Sequence, residues 1–128
     1  MTRPSAPTIA LWTTLSLLAA SPAFAVPSPV KAAFGNTLVS TYPDGRTAEL
    51  WLQPDGAYSA QGRRADPSGG HWKVKGGKLC LRQSRPLPAP FDFCTPIPAA
   101  GLDRAWSAKA VTGEAIQVRL VKGHFSGK

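Results

Sequence analysis

Few residues in this chain could do covalent or acid–base chemistry. His71 and His124 are its only histidines, Cys80 and Cys94 its only cysteines, and seven carboxylates are scattered along it. A metal centre needs His, Cys or carboxylate ligands at short spacing, and neither H-x-x-x-H nor C-x-x-C occurs. Acid–base catalysis needs paired groups, but Asp44 and Asp55 sit in turn signals and Asp92 faces a basic strand. No G-x-S-x-G and no phosphate loop is present. The expectation is a non-enzymatic protein with no metal and no cofactor. The two cysteines could cycle as a redox pair, but their separation favours a structural bond.

Positive charge is the other chemical resource. Fifteen Lys and Arg give a formal charge of +8. Lys73, Lys75, Lys78 and Arg82 occupy alternate positions on neighbouring strands, with Arg63 and Arg64 just before them. A strip of this kind suits an anionic glycan, a lipid surface or an acidic protein. It also suits a plain solvated sheet face whose lysines discourage edge pairing. Specific nucleic-acid binding adds exposed aromatics. Trp72 points away from the strip, and only Trp51 faces outward beside Glu49.

The elements that must hold these groups are strands. Trp72, Val74, Leu79 and Leu81 alternate with Lys73, Lys75, Lys78, Cys80 and Arg82, and period two marks a half-buried strand. Gly76-Gly77 suits a type I′ turn, which sets Val74 opposite Leu79, Lys73 opposite Cys80 and His71 opposite Arg82. Phe91 to Cys94 alternates likewise. Placing Cys94 opposite Cys80 also places Phe93 opposite Leu81 and Asp92 opposite Arg82. One register thus provides a disulfide, an apolar pair and an ion pair. Closing a loop of about 15 residues is worth roughly 3 kcal/mol on chain-entropy grounds. Between these strands runs Ser84–Pro90, SRPLPAP, a stiff extended loop. Clamped at both ends, it could present Arg85, Pro86, Leu87 and Pro88 to an enzyme cleft.

The remaining chain reads in order. Residues 1–25 form a secretory signal peptide: Arg3, an apolar run of about 12 residues too short to span a bilayer, then Ala23-Phe24-Ala25 with cleavage before Val26. Removing it lowers the charge from +8 to +7 and leaves no transmembrane segment, which implies a periplasmic or secreted protein. Residues 26–35 are an extended lead-in with Phe34 turned to the core. Strands follow over Asn36–Tyr42, Arg46–Leu52 and Ala57–Gly62, joined by two Pro-Asp-Gly turns in which glycine takes the left-handed position. Their registers set Leu38 opposite Leu50 and Leu52 opposite Tyr58. Arg63–Gly70 is a polar loop. After Cys94, residues 95–104 are irregular. Ala105–Val111 is a weak strand, Ala115–Val121 a firmer one, and 123–128 a flexible tail.

These elements make an all-β domain over 36–122: an antiparallel meander of about eight strands closing as a small β-barrel, or folding as a β-sandwich, with one disulfide. Trp72, Trp106, Phe91, Phe93 and Tyr58 are expected to fill the interior. Gly70-His71-Trp72 resembles the G-x-W of lipocalin-like calycin barrels and bacterial secreted inhibitor barrels. It lies mid-chain here, whereas lipocalins carry it near the barrel's start. The chain also resembles small exported bacterial proteins in which a G-x-W strand precedes a cysteine strand. That resemblance implies a fold and no activity. Three functions remain open: a surface binder acting through the basic face, a hydrolase inhibitor acting through loop 84–90, and a carrier of a small apolar ligand, which needs a hollow interior.

Overall fold

A computed structural model describes residues 2–5 and 28–126. The alternating segments form eight antiparallel strands: β1 Thr37–Thr41, β2 Thr47–Leu52, β3 Ala57–Gln61, β4 Pro67–Lys75, β5 Lys78–Arg85, β6 Phe93–Pro96, β7 Trp106–Lys109 and β8 Ala115–Val121. Their order in the sheet is β6-β5-β4-β3-β2-β1-β8-β7. Pairing of β1 with β8 curls the meander into a nearly closed barrel, left unladdered between β6 and β7. The barrel alternative is therefore the one adopted.

The expected registers hold. Leu38 faces Leu50, Leu52 faces Tyr58, Val74 faces Leu79, His71 faces Arg82 and Cys80 faces Cys94. The cysteines are bonded. Gly76 and Gly77 both have positive φ, 57° and 73°, as the tight turn requires.

Four of the hairpin turns repeat one geometry. In each, the first residue's carbonyl accepts from the amide three residues on, and its own amide donates to the carbonyl four residues on. This holds for turns beginning at Tyr42, Gln53, Gly62 and Ala110. The fourth residue is left-handed every time: Gly45, Gly56, Ala65 and Gly113. Asp44 and Asp55 accept from the amides two residues ahead, each at 2.9 Å.

Some boundaries differ from the sequence reading. Residues 67–70, expected in a loop, belong to β4, because Pro67 can open a strand where no ladder donor is needed. A register shift at Gly69/Gly70 accommodates the join. Gly70 is required there: a Cβ would run into the Arg82 carbonyl oxygen of β5. The lead-in is not extended. Residues Ser28–Lys31 form a one-turn helix, α1, and the following turns bury Val30 and Ala33. Phe34 packs on Trp72 with ring centroids 5.7 Å apart. The described part of the tail is not loose either. Residues 123–126 lie against β1 to β3, as detailed below. The expected leader and its cleavage site fall, apart from residues 2–5, outside the described residues. No helix among the described residues is long and apolar enough to cross a membrane.

Candidate functional site

Inward positions differ in size along the barrel. At the end where β1 begins they are large: Leu38, Leu52, Tyr58, Trp72 and Leu79, capped by Val30, Ala33 and Leu102, all in one apolar cluster. At the other end they are small: Ser40 on β1, Ala48 on β2, Ala60 on β3, Ser68 on β4 and Ala108 on β7. An eight-stranded barrel is just wide enough to be filled by side chains or to hold one small ligand. Here the taper leaves a cavity of about 370 Å³ among these small residues, with Leu50, Leu81, Phe93, Trp106, Ile116 and Val118 as its walls. That volume lies at the lower end of the range of about 300–1,000 Å³ for small-molecule pockets.

The aromatics thus wall the interior without filling it. Phe91 is the clear exception to the expected core: it stands at the open mouth, 61% exposed. Polar groups concentrate toward that mouth, where Ser40, Tyr42, Ser68 and Gln83 line the cavity. Burial pushes the Tyr42 phenol up, partly offset by the Arg63 charge, and burial does the same to Tyr58, partly offset by Arg85. Both rings are therefore neutral hydrogen-bonding groups at neutral pH.

One side of the mouth is braced. The Arg63 guanidinium lies 4.4 Å from the Tyr42 ring centre. It donates to both Glu114 carboxylate oxygens, at 2.9 and 3.2 Å, and stands 3.6 Å from Asp44. Three turns, after β1, β3 and β7, are thereby tied together. Hydrogen bonds from Arg63 and Thr112 hold the Glu114 carboxyl below its usual range. Loop 86–92, across the β6/β7 seam, makes no ion pair with these turns among the described residues.

Lys73, Lys75, Lys78 and Arg82 share the exposed outer face of the β4–β5 hairpin, and Arg63 and Arg64 lie in the turn after β3. Lys73 and Arg82 both reach Asp92, at 3.1 and 2.7 Å, and their hydrogen bonds, Arg82's foremost, depress its carboxyl. Arg63 is spent on the brace. Arg64 stands at the open end, whereas Lys75 and Lys78 face each other at the closed end. The nine residues of β4 separate the two groups, about 25–30 Å at the usual rise. His71 lies on the outer wall opposite Arg82, as expected. Arg85, Pro86, Leu87 and Pro88 are all exposed. Their loop is folded back on β5: the Ala89 amide donates to the Gln83 carbonyl at 2.9 Å, and Gln83 Nε2 donates to the Leu87 carbonyl at 3.0 Å.

Outside the barrel, Trp51 is covered by the C-terminal segment. Its ring stacks on His124 at 4.3 Å, and its Nε1 donates to Thr37 Oγ1 at 2.8 Å. No group of three or more His, Cys, Asp or Glu side chains among the described residues could hold a metal.

Sequence reasoning left a hollow interior open for a carrier but expected aromatics to fill the barrel. The cavity's signal was present at inward positions, where Ser40, Ala48, Ala60, Ser68 and Ala108 stand in place of large apolar residues. No protein-family description matches this chain, and no curated protein or solved structure shows significant similarity to it.

Proposed function

We propose that this protein is an exported, non-enzymatic binding module that holds a small apolar or amphipathic molecule inside its barrel. The observation that carries this reading is the open cavity of about 370 Å³ with predominantly apolar walls and polar groups near its mouth. Burying apolar surface there is favourable by about 25 cal/mol per Å². The taper suits a guest whose apolar body points to the closed end and whose polar group meets Tyr42, Ser68 or Gln83.

Two other readings have less support. Surface capture of a polyanion would use Lys73, Lys75, Lys78 and Arg82 on the outer face of the β4–β5 hairpin, where Asp92 already pairs with Lys73 and Arg82. Inhibition of a hydrolase by loop 84–90 draws on the exposed Leu87 and the loop's bonds back to Gln83.

Titration with an apolar fluorophore in vesicle-free buffer tests the cavity reading. The expected result is saturable, one-site binding with emission shifted to the blue. Filling the space from opposite walls, with Ala108→Trp or Ala60→Phe, is expected to weaken affinity at least about tenfold. Unchanged affinity in both variants, each folded by circular dichroism, would reject the proposal.

A further inference from the structure

The two ends of the barrel differ in their exposed apolar side chains. Four large hydrophobic residues stand out in solvent among the described residues: Leu87 at 72%, Val111 at 69%, Phe91 at 61% and Phe125 at 38%. Phe125 is on the outer wall, where its amide donates to Thr37. The other three all stand at the open end. Leu87 and Phe91 lie in the β5–β6 connection and Val111 in the β7–β8 turn, on the two sides of the β6/β7 seam. Phe91 and Val111 also line the cavity. Apolar surface therefore runs from the exposed rim into the interior without interruption. Clustered exposure of this kind marks an interaction surface.

Charge at the same end indicates the partner. Arg64, Arg85 and Lys109 are exposed at the rim, and none has an ion-pair partner among the described residues. A protruding apolar edge flanked by free cations matches an anionic lipid interface, where buried apolar groups and nearby Lys and Arg add their contributions. An enzyme cleft would instead receive one projecting finger. Here the apolar residues come from two connections around an opening, and the longer one is folded back onto Gln83.

We propose that the open rim docks on the surface of an anionic bilayer, with Leu87, Phe91 and Val111 entering the interface, and that the cavity exchanges its guest with the lipid. The exchange rests on the reading that the barrel holds an apolar molecule. Such a molecule is scarce in water and concentrated in membranes, and docking mouth-first shields it during transfer.

Sedimentation with vesicles of phosphatidylglycerol and phosphatidylcholine tests the docking. The protein is expected to partition onto them, and less as phosphatidylglycerol is withdrawn. Leu87→Ser lies outside the cavity wall. It is expected to reduce partition about tenfold and to leave fluorophore binding in vesicle-free buffer intact. Adding Val111→Ser reduces partition further. Lys75→Glu with Lys78→Glu, at the far end, changes it by less than about twofold, because screening removes that end from the surface field. Absence of partition, a Leu87→Ser variant that partitions like the parent, or a dominant loss from the Lys75/Lys78 variant would each overturn the docking. Inhibition of a hydrolase without vesicle binding would also overturn it, assigning the rim to a protein partner. Fluorophore binding without vesicle binding defeats the docking alone. Vesicle binding without fluorophore binding defeats the cavity reading alone.

Discussion

Thr37 shows how much one side chain can organise. Its hydroxyl donates to the Gly123 carbonyl at 2.7 Å and accepts from Trp51 Nε1 and the Phe125 amide, each at 2.8 Å. All of its hydrogen-bonding capacity is used, and the residue is fully buried. Thr37→Val keeps the shape but removes both acceptor sites. The expected outcome is a loss of about 2 kcal/mol in denaturant unfolding, with faster amide exchange confined to residues 123–126. Exchange that stays slow there would show that the segment is held by other contacts. The outward orientation of Trp51 was legible from alternation, but its cover was not. A threonine and a histidine 87 positions apart carry no local pattern linking them. The Arg82–Asp92 pair was legible because it follows from a register that the disulfide fixes. The Arg63–Glu114 pair joins non-adjacent hairpins and needed the closed barrel to become visible.

At the scale of elements, turns and alternation gave most of the strand order. The two Pro-Asp-Gly turns stand out because glycine occupies the left-handed position. The turn at Gly62–Asp66 has the same hydrogen bonds but places Ala65 there, with φ 65°. Without glycine the repetition could not be read, so the start of β4 was placed too late. An L-residue in that conformation costs about 1–2 kcal/mol, partly offset by glycine's greater entropy loss on folding. Ala65→Gly is therefore expected to stabilise the protein by about 0.5–1 kcal/mol, read as a higher denaturation midpoint at unchanged slope. A lower midpoint would contradict the shared geometry. The helix α1 was missed for a different reason. One turn of helix has almost no intrinsic stability, and Ser28–Lys31 is held by its own Val30 and the following Ala33, which are buried in the apolar cluster at the closed end.

For the molecule as a whole, the sequence led to a barrel but not to its interior. Counting aromatics predicted a filled core, whereas the arrangement concentrates bulk at one end and leaves small residues at the other. Composition records how many large side chains there are, and only the closed sheet determines at which height each one stands. The same closure places the charges: Lys73, Lys75, Lys78 and Arg82 stay on the outer face of the β4–β5 hairpin, where Asp92 pairs with Lys73 and Arg82, while Arg63 braces the mouth and Arg64 stands at the open end. The rim's exposed Leu87, Phe91 and Val111 then become the feature that gives the molecule a direction, with the mouth toward its partner and the capped end away.

The account depends on a guest entering from that mouth. Methyl-resolved NMR during titration with a medium-chain fatty acid tests this most directly. The expected result is saturable perturbation of the methyls on the cavity wall, at Leu50, Leu81, Ile116 and Val118, with the outward-facing Val121 unmoved. Perturbation spread over the outer wall, or none on the cavity wall at saturating ligand, would contradict the account.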